Sequence, residues 1–290
     1  RTSNEPQRRA PGWRTIAPAC DAHASGTGRR RQGLMCLALV ALDAHPRYRC
    51  VIAANRDEFH ARAATPAHWW GNGILAGRDL AAGGTWFGVT RTGRWALITN
   101  FREGVPRDPN APSRGGLVTH MLRDEASPLR AAAALLPEGG RYHGFNLLVG
   151  AGGHAAFASN RASGALELGA GIHGLSNHLL DTPWPKLVRG KARLKAWLAD
   201  DDPSLAAAFA LLADRVPVRD GALPSTGVSA RWERLLSSPF IVSAEYGTRC
   251  STLLMIAADG SARFVERSFD AGGDATGEVA FEFEAQSAAG

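Results

Sequence analysis

The residue pattern predicts a layered α+β fold, and three observations carry that expectation. Strand-sized apolar runs come in pairs joined by short turns. Helical runs, also paired, fall between those hairpins. The resulting order of hairpins, helices, hairpin, helices and hairpin suits antiparallel sheets covered by helices better than a doubly wound parallel sheet.

The elements follow in order. Cys36–Leu42 is an apolar strand, and a turn around Asp43 to Pro46 leads to a second over Tyr48–Ala54. "GGTWFGVT" (83–90) and "GRWALITN" (93–100) form a second pair across Thr92-Gly93. Residues 114–136 read as helical, with Leu117, Met121 and Leu122 on one face and Pro128 dividing two segments. "FNLLVGA" (145–151) and "HAAFASN" (154–160) pair across Gly152-Gly153, and a short strand lies at Gly171–Leu175. Pro185 to Leu198 is amphipathic, setting Leu187, Val188, Leu194 and Trp197 against Lys186, Arg189, Lys191, Arg193 and Lys195. Leu205–Leu212 and Arg231–Leu236 are further helices. Strands at Cys250–Ala257, Ala262–Ser268 and Val279–Phe283 end the pattern.

Composition bounds what such a fold does. The 290 residues are 45% hydrophobic and 21% charged, an ordinary globular balance. The longest apolar run, Cys36–Leu42, is far short of the roughly 20 residues that cross a bilayer, so no integral membrane segment is expected. The net charge of +6 is unevenly placed. Residues 1–34 carry seven Arg against Glu5 and Asp21, hence +5, which leaves +1 for the rest. A basic tail with no interleaved aromatic stripe does not make a nucleic-acid binder. We expect residues 1–34 to be a disordered basic extension, or a stretch upstream of the true start, and 35–290 to be one domain. The partner expected is a small-molecule substrate or ligand. The pattern gives no oligomeric state.

Cys20, Cys36, Cys50 and Cys250 have no C-x-x-C spacing and no metal-type spacing, which fits a reducing, cytoplasmic compartment and no bound metal. Cys50 and Cys250 lie in apolar strand patterns, where an inert buried thiol is expected. His143, His173 and His178 are read as structural, Trp69, Trp70 and Trp86 as core or cleft lining, and Gly83-Gly84 as a tight turn.

Polar residues gather at the strand ends: Cys36; the run Asn55, Arg56, Asp57 and Glu58, which taken alone reads equally well as a turn; Asn100; Asn177 and His178; and Arg249. Together they suit one mechanism. If Met35 is removed, Cys36 carries both a thiol nucleophile and an α-amine able to act as its base. Arg favours the thiolate, a carboxylate orients the ammonium, and Asn amides donate to an oxyanion, each such donor contributing roughly 3 kcal/mol elsewhere. Amide or thioester acyl transfer needs little more.

"MCLALVAL", "AANRDEF", "GGTWFGVT", "ALITNFR", "GLSN", "WPK" and "YGTRCST" resemble the NRDE family, also called the transport and Golgi organisation protein 2 family, over about residues 35–284. The resemblance implies an N-terminal nucleophile hydrolase-like αββα sandwich of two antiparallel sheets between helical layers. It implies a site of Cys36, Arg56, Asp57, Asn100 and Asn177, with Arg249 the nearest match to a later arginine, and no required cofactor. Arg56 and Asp57 are adjacent, whereas related acylases separate them. Strand neighbours face opposite ways, so one of the two is expected to reach Cys36, and Asp57 is preferred. The resemblance also implies a non-enzymatic alternative, a carrier of haem or an acyl-CoA-like lipid.

Overall fold

The computed structural model describes residues 36–104 and 108–285. The basic extension and Met35 lie outside them.

Two antiparallel sheets stack face to face. The first contains β1 (Cys36–Leu42), β2 (Tyr48–Phe59), β10 (Gly171–Leu175), β11 (Tyr246–Ala257), β12 (Ser261–Phe269) and β13 (Ala275–Glu284), in the order β10-β1-β2-β11-β12-β13. The second runs from β3 (Ala64–Trp69) through β4 (Ile74–Asp79), β5 (Phe87–Thr90), β6 (Trp95–Asn100), β7 (Phe145–Ala151) and β8 (His154–Ser159) to β9 (Ala165–Leu168). Helices α1 (Gly115–Arg123) and α2 (Pro128–Leu135) cover the second sheet, and α3 (Pro185–Trp197) and α4 (Leu205–Leu212) cover the first. A short α5 (Ala230–Leu235) packs Trp232 and Leu235 near Tyr246. This is the αββα sandwich that the resemblance implies.

Strand alternation sorts each strand's residues between two cores. Along β1, Ala38, Val40 and Leu42 enter the core between the sheets, with Leu75, Phe87 and Leu97 opposite. Leu37, Leu39 and Ala41 turn the other way, against Leu187, Leu194 and Trp197 of α3. A Cβ added at Gly190 of α3 would stand 3.1 Å from Leu39, so the missing side chain brings α3 close over β1. Trp69 and Trp86 pack half-buried against the inter-sheet core, as expected of lining residues.

The structure corrects the sequence reading in three places. First, the polar run Asn55–Glu58 is not a turn. β2 continues through it to Phe59, with all four residues buried and paired to β11. Second, β3, β4 and β9 carry no clear alternating signature. β3 is an edge strand containing Pro66, beside an irregularity between Thr65 and His68, which is where a sheet tolerates proline. Third, α3 is rotated from its expected orientation. Its buried stripe is Lys186, Leu187, Gly190, Leu194 and Trp197, whereas Val188 is 55% exposed. The lysine assigned to the solvated face is therefore in the interior.

Candidate active site

Cys36 opens β1 and stands directly opposite Arg56 of β2. Opposed residues of an antiparallel pair share a sheet face, so both side chains point toward the second sheet. Asp57 points toward the helices, as does Asn55. It still bears on the thiol's proton affinity, its backbone N–H favouring the thiolate and its carboxylate opposing it. Of the two, the Arg56 side chain shares the face of Cys36 and the Asp57 side chain, the one preferred from the sequence, lies on the other. Cys36 opens its strand, and its partner strand continues past it on both faces.

Cys36 is 7% exposed. Burial pushes its thiol up to about 12, and the Asp57 carboxylate adds to that rise, while the Asp57 N–H and the Arg56 guanidinium oppose it. In this state the sulfur is a poor nucleophile. Arg56 itself lies 3.9 Å from Glu58 and 3.9 Å from Asp79, and Arg62 reaches Asp79 at 2.6 Å and Glu58 at 3.6 Å. On the inter-sheet side Arg56 and Arg62 are thus shared between Glu58 and Asp79, and the buried Glu266 carboxylate also feels Arg56.

Asp57 is 2% exposed. Its Oδ1 accepts from Thr248 Oγ1 at 2.6 Å, while its Oδ2 has no hydrogen-bond partner among the described residues. Burial raises its proton affinity, against the pull of the Thr248 hydroxyl, Lys186 and Arg56. Lys186, in the first turn of α3, is 3% exposed and donates Nζ to the Leu236 carbonyl at 3.1 Å. Burial and the nearby Arg102 lower its pKa, and Asp57, Cys36 and Glu233 raise it.

The remaining expected residues divide. Ser176 Oγ lies 2.9 Å from the Cys36 carbonyl and 3.0 Å from Asn177 Oδ1. Asn177 donates Nδ2 to the Asn100 carbonyl at 2.9 Å, and its own carbonyl accepts from Arg102 N–H at 2.7 Å. Asn100 and Asn177 are thus linked to each other, and Asn177 reaches the Cys36 backbone through Ser176. Arg249 is the extra residue of a β-bulge, between the pairs Thr248–Asp57 and Cys250–Arg56. Its Nη1 donates to the carbonyls of Phe59, His60 and Arg62 at 3.1–3.2 Å, so it ties down the end of β2. Asn55 is a bracket as well, donating Nδ2 to the Leu212 and Pro239 carbonyls, both at 2.9 Å, and accepting from Ser251 at 2.6 Å.

Sequence reasoning missed Lys186, Ser176 and Thr248. Ser and Thr are too common to stand out. Lys186 did carry a signal, being one of three lysines in the chain and a cation placed in a helix's first turn, against the helix dipole.

The fold and site together define an αββα sandwich protein with a buried thiol at the head of its first strand, directly opposite an arginine. The chain belongs to the Transport and Golgi organisation 2 family, whose model matches residues 35–271. Among curated relatives, the mouse (Mus musculus) Transport and Golgi organization 2 homolog is 32% identical over 259 residues, covering 81% of this chain and 93% of its own. The Homo sapiens homolog is 34% identical over 257 residues with the same coverage, and the Drosophila melanogaster protein 28% over 262, covering 81% and 92%. Among solved structures, a mutant of the conjugated bile acid hydrolase from Clostridium perfringens is similar over 85% of this chain and 92% of its own. That likeness stands at 9% identity and a TM-score of 0.46, and it carries no residue correspondence. Among the described residues, no helix is long and apolar enough to cross a membrane.

Proposed function

We propose that this protein is a cysteine N-terminal nucleophile hydrolase acting on a small acyl amide or thioester. The observation that supports this most is the seating of Cys36 at the start of β1, with Arg56 directly opposite. Cleavage of the Met35–Cys36 bond would give Cys36 a free α-amine. The thiol proton passes to that amine as the sulfur attacks the acyl carbon. The amine then returns the proton to the departing amine or thiol, leaving a thioester on Cys36, which water hydrolyses to the free acid and the thiol. Asp57 orients the ammonium form, and Asn100 and Asn177 supply amide donors for the oxyanion. A thiol of this kind requires a reducing, cytoplasm-like setting.

The test is turnover of an acyl-amide and thioester panel by protein whose first residue is Cys36. The expected result is hydrolysis by that protein and none by Cys36→Ala. Equal turnover by both overturns the proposal. The haem-carrier alternative receives no specific support from the histidines. His143 donates or accepts at the Asp108 carbonyl and His178 at Thr182, both at 2.9 Å, while His173 engages Asp181 and the Gly169 carbonyl at 3.0 Å.

A further inference from the structure

Three consecutive residues of β11 build a mount for Asp57. Gly247 comes first. A Cβ added there would stand 2.7 Å from the Ile241 carbonyl oxygen, so the bare backbone lets residue 241 lie against the strand. Thr248 is next, and it is tied to residue 241 twice. Its N–H donates to the Ile241 carbonyl and its Oγ1 accepts from the Ile241 N–H, both at 2.9 Å. Arg249 follows as the extra residue of the bulge, fixed by the carbonyls of Phe59, His60 and Arg62. The bulge leaves Thr248 directly opposite Asp57, and opposed residues of an antiparallel pair share a face.

Hydrogen counting then decides the bond between them. A hydroxyl has one proton to give. Thr248 Oγ1 already receives the Ile241 N–H, and its own proton has one acceptor among the described residues, Asp57 Oδ1 at 2.6 Å. Asp57 Oδ2 receives no hydrogen bond from the described residues. The two oxygens of one buried carboxyl therefore differ: the first is committed as an acceptor and the second is open.

We propose that Thr248 sets the carboxyl of Asp57: its donated proton keeps Oδ1 an acceptor and leaves Oδ2 as the oxygen that binds and releases a proton. Thr248 is thereby a positioning residue, acting through Asp57. For its purpose the inference rests on the acyl-transfer reading, in which Oδ2 is the oxygen offered to the Cys36 ammonium. Its geometry stands without that reading. The same arrangement gives Arg249 its place, since the bulge it clamps puts Thr248 opposite Asp57. The titratable and charged groups that bear on Asp57 are Cys36 from β1, Arg56 and Glu58 on its own strand and Lys186 from α3. All of them stay unchanged when Thr248 is replaced.

The test is a carboxyl titration followed by NMR in the full chain, labelled with carbon-13 at the aspartate side-chain carboxyls. The Asp57 signal is the one lost in Asp57→Asn. Thr248→Val keeps the shape and removes the hydroxyl. Its Asp57 midpoint should rise by about one pH unit, roughly tenfold in proton affinity, because a hydrogen bond to the charged form is gone. Thr248→Ser keeps the hydroxyl and should return the midpoint toward wild type. A packing role alone predicts the reverse order, since Ser loses a methyl group and Val keeps the volume. An unchanged or lowered midpoint in Thr248→Val overturns the proposal. If Thr248→Val does not fold, a threonine carbon-13 label decides in the wild type, the Thr248 signal being the one lost in Thr248→Ser. That signal should move through the Asp57 midpoint, and a flat one overturns the proposal equally. The acyl panel keeps the two readings apart. In protein starting at Cys36, Thr248→Val should lower kcat about tenfold with KM near wild type, and Thr248→Ser should restore it. No turnover by the unmutated protein removes the hydrolase and leaves the midpoints to decide Thr248. Turnover with kcat unchanged in Thr248→Val overturns the positioning role and leaves the hydrolase standing.

Discussion

The β1–β2 hairpin holds two buried cysteines, one at each end, and their surroundings differ sharply. Cys36 faces Arg56 across the hairpin, and Cys50 faces Leu42. They are 7% and 6% exposed, and burial drives both thiols upward. At Cys50 only the Asp43 carboxylate accompanies burial. At Cys36 a guanidinium and a backbone N–H work against burial, while carboxylates at Asp57 and Glu58 work with it. Depth therefore does not separate the two cysteines. The separating feature is whether groups that can be rearranged, by freeing an amine or moving a proton, stand around the sulfur.

The largest effect expected from that contrast is on turnover. Cys36→Ala should abolish hydrolysis in protein starting at Cys36, while Cys50→Ala should leave kcat and KM near wild type and cost about 1 kcal/mol of stability for the lost packing. Steady-state assays with urea unfolding of both variants check this. Loss of activity in Cys50→Ala at full folding would break the comparison.

The next effect is on stability. Arg56→Ala leaves the buried Glu58 and the half-buried Asp79 with only Arg62 between them, a loss of up to ~3 kcal/mol. Urea midpoints measure it. A loss under about 1 kcal/mol would mean that the network around Cys36 is as dispensable as an exposed ion pair.

Much of this hairpin was legible in the sequence. The apolar pattern of Cys36–Leu42 and Tyr48–Ala54 announced two strands, and Cys36 does open the first of them. What lay beyond Ala54 was not legible, because four polar residues in a row look like a turn. They form a strand because three of them meet partners far along the chain, Asn55 at Leu212, Pro239 and Ser251, Asp57 at Thr248, and Arg56 at Asp79, while Glu58 accepts from the next residue's N–H and lies beside Arg56 and Arg62. The same limit hid Lys186. On α3 alone it groups with Arg189 and Lys191 as solvated, and its burial follows from the rotation that seats Leu187 and Leu194 on β1. Arg249 shows the reverse case. Its position in the motif pointed to chemistry, and its three carbonyl partners give it the work of a clamp.

A smaller effect concerns direct thiol reactivity. Because Arg56 and the Asp57 N–H favour the thiolate at one end only, Cys36 should be alkylated by iodoacetamide faster than Cys50 at pH 9. Peptide mass spectrometry over a time course reads both sites in one sample. Equal rates would mean that access, not electrostatics, governs the two ends.

The smallest effect is a slope. Burial raises the Glu58 carboxyl above its ordinary value, against the pull of the Phe59 N–H, Arg56 and Arg62. The folded chain therefore holds this proton at a pH where the unfolded chain, with a Glu pKa of about 4.3, has released it. Stability from this group is fully present below that value and is lost as pH rises through the raised native one. Glu58→Gln removes the titration, so the stability of the variant relative to wild type should improve as pH climbs from about 4 toward neutrality, by less than ~1.4 kcal/mol per unit. Cys50→Ala, at the apolar end, should track the wild type over the same range, since its thiol stays protonated there. Urea unfolding at a series of pH values measures both slopes. A Glu58→Gln curve parallel to wild type would show that Arg56 and Arg62 fully offset burial, which would make the two ends of the hairpin electrostatically alike below neutral pH.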